Sequence, residues 1–108
     1  MKIKTLPKDA LELVAERFKV LSEPLRLEIL NSLQSGGKSV NELAGLVNSS
    51  QPNVSKHLKY MQKAGVLNRE QNGNTVYYTI ADESIFTLCE VVCGSLETHL
   101  SDRAEMFR

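Results

Sequence analysis

Apolar residues recur at helical spacing in four successive stretches, then at a spacing of two, then at helical spacing again. Over residues 8–21, Leu11, Val14, Ala15, Phe18 and Leu21 predict an amphipathic first helix. Leu25, Ile29, Leu30 and Leu33 predict a second, with Ser22 as its N-cap, Pro24 near its first turn and Gly36-Gly37 as its stop. Ser39-Val40-Asn41-Glu42 has the form of a capping box, in which serine hydroxyl and glutamate carboxylate satisfy each other's backbone amides. Val40, Leu43, Ala44 and Val47 give the short third helix its buried side. Asn48-Ser49-Ser50 breaks the pattern, and Ser50 is the natural N-cap of a fourth helix, with Pro52 tolerated where early amides have no helical acceptor. Val54, Leu58 and Met61 should face inward there, and Gly65 should end the helix. From Val66 the period is two: Val76, Tyr78 and Ile80 alternate with Thr75, Tyr77 and Thr79. Asn72-Gly73 precedes this run and predicts a hairpin with a type I′ turn, which needs positive φ at both central residues. Asp82 should cap a last helix with the stripe Ile85, Leu88, Cys89, Val92, Cys93, Leu96 and Leu100.

This order of elements predicts a mainly α fold with one small β-hairpin, a single domain over residues 8–100. Two short helices joined by a tight polar turn and followed by a hairpin form a winged helix-turn-helix. The stripe on the last helix is longer than the rest of the chain can cover. The expectation is a homodimer in which the first and last helices (helices 1 and 5) meet their mates.

Composition excludes more than it selects. The chain has 108 residues, 42% of them hydrophobic and 24% charged, ordinary for a globular domain. No apolar run reaches the ~20 residues of a membrane span, and the amino-terminal residues lack the apolar core of a signal peptide. The expectation is a cytoplasmic protein with no membrane partner. Net charge is zero, but it is unevenly spread. Residues 50–80 carry Lys56, Lys59, Lys63 and Arg69 against Glu70 alone, while residues 81–108 carry two basic and six acidic side chains. A basic middle ahead of an acidic end is a local footprint for phosphates.

The fourth helix carries the candidate chemistry. Gln51, Asn53, Ser55 and Lys56 lie near its start, and these are the side-chain types that read base edges in a major groove: amides for adenine, lysine for guanine, serine for either. Ser50 and His57 join them as candidate DNA contacts, His57 being either packed or phosphate-facing, and Lys59 and Lys63 follow as backbone contacts. Arg69 lies in the hairpin, the expected wing, where it would meet a phosphate or a minor groove. The partner expected is a double-stranded DNA operator. A module that binds another protein through the same fold is the alternative. An enzyme using Cys89 or Cys93 fares poorly, because neither histidine adjoins a cysteine and no catalytic carboxylate pair or phosphate loop is present, so no catalytic residues are assigned.

Leu21-Ser-Glu-Pro-Leu-Arg-Leu-Glu-Ile-Leu30, Ser50-Gln-Pro-Asn-Val-Ser-Lys-His-Leu58, Ala64-Gly-Val-Leu67 and Val76-Tyr-Tyr78 occur in one order, and the chain resembles the ArsR/SmtB family of bacterial repressors over roughly residues 10–100. The resemblance implies a winged-helix dimer that leaves its operator when an inducer binds. Inducers in the family include arsenite, zinc, cadmium, other metal ions, oxidants and reactive sulfur species. Two of the family's sensing sites lack their ligands in this sequence. Ser39-Val-Asn41 stands where the arsenite-responsive type has Cys-x-Cys. Asp82 matches the zinc-responsive type, but Ser84 and Ser95 stand where it has histidines, and a four-ligand zinc site cannot be built from those.

Cys89 and Cys93 remain as candidate sensing thiols on one face of the last helix. Three readings stay open: small core hydrophobes, ligands of a thiophilic metal or metalloid inducer, or a redox or sulfur-sensing pair. A winged-helix regulator with no thiol sensing is the corresponding alternative for the whole chain. A direct disulfide within one helix is awkward, because Cβ atoms at this spacing are about 5–6 Å apart and a disulfide wants roughly 3.5–4.5 Å. His99 is a further metal-ligand candidate with Asp102. No cofactor is required by any motif.

Overall fold

The computed structural model describes residues 5–99 and Met106. Its elements are α1 (Lys8–Val20), α2 (Pro24–Leu33), β1 (Lys38–Ser39), α3 (Val40–Leu46), α4 (Gln51–Lys63), β2 (Leu67–Asn72), β3 (Thr75–Ile80) and α5 (Ser84–His99). The five helices and the hairpin fall where the hydrophobic periods place them. Leu100 and Asp102 lie outside the described residues, so the last position of the stripe and the partner suggested for His99 are not placed.

The core forms where α2, α3 and α4 meet the hairpin and the start of α5. Ile29, Leu43, Val54, Leu58, Met61 and Val66 are fully buried, with Val20, Leu30, Leu33, Leu67, Tyr78 and Ile85 around them. The expected inward stripe of α4 is therefore observed. Among the described residues, no helix is long and apolar enough to cross a membrane.

Local hydrogen bonds explain the helix boundaries. Ser39 and Glu42 form the capping box, the Ser39 hydroxyl accepting from the Glu42 amide at 3.1 Å and Glu42 Oε1 accepting from the Ser39 amide at 3.0 Å. Ser50 caps α4 by accepting from the Asn53 amide at 3.2 Å. Between them Asn48 takes φ 53°, a left-handed conformation that asparagine tolerates, and the Ser49 amide donates back to the Ala44 carbonyl at 3.0 Å. That closure turns the chain sharply from α3 into α4. Asp82 accepts from the Ser84 amide at 3.0 Å and pairs with Arg17 of α1 at 2.8 Å, tying the start of α5 to α1. The Ser84 hydroxyl and amide, then Arg17, hold the Asp82 carboxyl below its usual range.

Three details differ from the sequence reading. Ser22 does not cap α2: its hydroxyl donates to the Lys19 carbonyl, and Glu23 occupies the cap position ahead of Pro24. The hairpin turn is one residue later than expected. Asn72 pairs with Thr75, leaving Gly73 and Asn74 as the central residues, and of the two only Gly73 has positive φ, 65°. Glycine first and positive φ only there is the type II′ pattern, not I′. Finally, Lys38–Ser39 pairs antiparallel with Tyr77 and Tyr78, making a sheet of order β1-β3-β2. Gly37 lies close beneath β3; a Cβ there would meet Thr79 Cγ2 at 2.8 Å.

Candidate nucleic-acid interface

The helix-turn-helix consists of α3, the Asn48 turn and α4, and α4 divides into two faces. Val54, His57, Leu58 and Met61 point into the core. Gln51, Lys56, Lys59 and Lys63 are exposed, with Ser55 half-buried beside them. Four of the candidate contacts are thus exposed on α4, side-chain types suited to phosphates and base edges. Ser50 is exposed but its oxygen serves the cap. Arg69 is exposed on β2, in register with Tyr78. It stands on the wing, apart from α4.

His57 is the exception among the expected DNA contacts. It is only 7% exposed, and its Nδ1 accepts from Arg26 Nε at 3.2 Å. Burial, followed by the charges of Arg26 and Lys56, pushes its pKa down. The ring is thus packed inward, with its Nδ1 engaged by the guanidinium of α2. It fixes α4 to α2. Arg26 also donates to the Lys19 carbonyl at 3.0 Å and lies over the Tyr60 ring at 4.1 Å. Its guanidinium therefore joins the end of α1 to α2 and α4. Sequence reasoning missed Arg26, although the spacing of His57 from Val54 and Met61 placed it on the buried stripe.

The leading amides of α4 are held as well. Gln51 Nε2 donates to Asn41 Oδ1 at 2.8 Å, and Asn53 Nδ2 donates to Ser49 Oγ at 3.0 Å. Asn41 is a second residue that sequence reasoning missed.

Elsewhere, α1 and α5 expose apolar surface. Leu11, Leu13, Val14 and Phe18 of α1 and Val91 and Val92 of α5 are between 41% and 74% exposed. A groove of about 680 Å³ runs between α5 and the α1–α2 corner, lined by Phe18, Leu21, Leu30, Phe86, Cys89 and Cys93 among others. Both cysteines are free, Cys89 half-buried and Cys93 exposed. Burial, and then the neighbouring Cys93, pushes the Cys89 thiol up. His99 is exposed. Among the described residues, no group of three or more His, Cys, Asp or Glu side chains is placed to hold a metal ion.

Comparison with known proteins places this geometry. Residues 23–69, from the cap of α2 to the start of the wing, match the family described as bacterial regulatory protein, arsR family. The HTH-type transcriptional regulator KmtR of Mycobacterium tuberculosis is 36% identical over 80 residues, 74% of this chain and 62% of KmtR. This chain thus spans less than two thirds of KmtR's length. The M. tuberculosis HTH-type regulator Rv0081 is 38% identical over 93 residues, 85% of this chain and 82% of that protein. Its crystal structure superposes with a TM-score of 0.79 at 35% identity, covering 91% of this chain and 99% of that one. The solution structure of the homodimeric winged helix-turn-helix domain of Mb0332 from Mycobacterium bovis gives 0.75 at 31% identity, covering 92% and 96%. The AntR antimony-specific transcriptional repressor also gives 0.75, at 29% identity, covering 91% and 89%.

Proposed function

The chain belongs to the ArsR family of bacterial regulatory proteins, and on that premise we propose that it is a transcriptional repressor that binds an operator in double-stranded DNA as a homodimer. The observation that carries the proposal is the two-faced α4. Its inner residues are buried and tied to α2, while its outer face presents Gln51, Lys56, Lys59 and Lys63. In this mechanism α4 lies in the major groove, the lysines neutralise phosphates and Arg69 on the wing meets the flanking backbone. The apolar surface left on α1 and α5 supports pairing through those helices, as does the homodimeric state of the related Mb0332 domain. The test is titration onto a duplex from the protein's own upstream region and onto a shuffled duplex. An operator should bind at least about a thousandfold more tightly than shuffled DNA. Equal affinity for both duplexes, or binding to neither, contradicts the proposal and favours a protein-interaction module.

We propose further that Cys89 and Cys93 sense the inducer, as ligands of a thiophilic metal or metalloid or as a redox or sulfur-reactive pair. Both thiols line the same groove between α5 and the α1–α2 corner. Their helical spacing suits an ion or a longer sulfur bridge between them better than a direct disulfide. The antimony specificity of the related AntR supports the reading as ligands of a thiophilic metal or metalloid. A Cys89→Ser, Cys93→Ser double variant should bind the operator normally and no longer release it with arsenite, cadmium, peroxide or polysulfide. Release like that of the wild type would assign both cysteines to packing alone. Cys→Ala and Cys→Val controls separate the loss of a ligand from the loss of volume.

A further inference from the structure

Gln51 opens α4 as an exposed, flexible side chain, yet its amide is anchored. Its Nε2 donates to Asn41 Oδ1 at 2.8 Å. Asn41 is itself exposed, and it occupies the second position of α3. The capping box formed by Ser39 and Glu42 fixes the start of that helix. The arrangement therefore connects the leading side chain of α4 to a helix start held by a capping box. Neither amide is buried, so the bond adds little to folding. Its physical consequence is orientation. In this pair Asn41 Oδ1 accepts and Gln51 Nε2 donates, which engages one hydrogen of the Gln51 amide and leaves its Oε1 and its second Nε2 hydrogen without a partner in that bond. A free glutamine samples many rotamers and both amide orientations, and loses that freedom only on meeting a base.

We infer that Asn41 is a positioning residue for base readout, which orders the Gln51 amide before DNA arrives. The inference rests on the DNA-binding reading above. Its energetic basis is preorganisation: a long side chain ordered in advance does not lose its rotamer freedom on binding, which raises affinity about three- to tenfold. The gain appears only on sequences whose bases complement the fixed amide. It is absent on random DNA, where phosphate contacts dominate. Asn41 thus sets specificity without touching a base. Asn53, whose Nδ2 donates to Ser49 Oγ at 3.0 Å, is ordered by the same device from the turn.

The experiment is a double-mutant cycle on operator affinity with Asn41→Ala, Gln51→Ala and the double variant, each also measured on random duplex and by thermal melting. Asn41→Ala should weaken operator binding about three- to tenfold and leave random-duplex affinity and melting temperature unchanged. Adding it to Gln51→Ala should cause no further loss. Asn41→Asp, which keeps an acceptor for Gln51, should weaken both duplexes through its charge yet keep their ratio. Additive losses in the cycle, or an equal loss on random duplex, overturn the inference and make Asn41 an independent phosphate contact. An unchanged operator affinity for Asn41→Ala overturns it as well. If the wild type itself shows no operator preference, the DNA-binding reading has failed, and the inference with it.

Discussion

Replacing Arg26 with alanine should remove the pin that orients the recognition helix. Three contacts vanish together: Nε to His57 Nδ1 at 3.2 Å, Nη1 to the Lys19 carbonyl at 3.0 Å, and the guanidinium over the Tyr60 ring at 4.1 Å. A half-buried hydrogen bond from a charged donor contributes about 1.5–3 kcal/mol, and the stacking about 0.5–2 kcal/mol. The bond to Lys19 is exposed and adds little. One guanidinium makes all three, so its ordering entropy is lost once and the terms do not add fully. Partial solvent access lowers the total further. The expected destabilisation is about 2–3 kcal/mol, a loss of roughly 8–20 °C in melting temperature for a chain of this size. Urea unfolding at fixed protein concentration measures it, because dimer dissociation would otherwise shift the midpoint. A double-mutant cycle with His57→Gln isolates the Arg26–His57 part. A total loss below about 0.5 kcal/mol, or a cycle with no coupling between the two residues, would refute the reasoning.

Acid should weaken the fold through His57. Its folded pKa is lowered by burial and then by Arg26 and Lys56, so the unfolded chain binds the proton first. Stability should fall as pH drops below about 6.5 and level off once the folded ring is protonated, and His57→Gln should flatten this part of a urea-midpoint profile. Phe18→Asp or Val92→Asp should yield a folded monomer by sedimentation, since both side chains are about half exposed within one chain. An unchanged dimer would place the interface elsewhere. Footprinting should show an imperfect palindrome with half-sites about 10–10.5 bp apart or a multiple of it, and a single asymmetric site would contradict two-fold binding.

The elements were legible because their signals are local. The Ser39 and Ser50 caps, the Asn48 turn and the inward stripe of α4 depend on residues within a few positions of each other. Two of the features missed arise where sequence-distant groups decide. Lys38 and Ser39 become a strand only because Tyr77 and Tyr78 pass beside them. Arg26 reads as one more polar residue on α2 until α4 brings His57 and Tyr60 to it. Ser22 satisfies the backbone behind it, which hydroxyls do as readily as they cap ahead. Of the two readings open for His57, packed or phosphate-facing, the packed one fits its position three residues after Val54 and four before Met61, on the buried stripe. In the hairpin, Asn72-Gly73 marked the turn correctly, but the pairing of Asn72 with Thr75 set its register one residue later.

The most direct test of the account is the salt dependence of DNA affinity for the wild type and Lys59→Ala, on operator and on random duplex. Lys59 is exposed on the outer face of α4 and is assigned to a phosphate. Log affinity should fall linearly with log salt for the wild type, and Lys59→Ala should lower the slope by about one on both duplexes. It should weaken binding to each and leave their ratio unchanged. A slope unaltered by Lys59→Ala, or wild-type binding that is indifferent to salt, would contradict the placement of α4 against DNA.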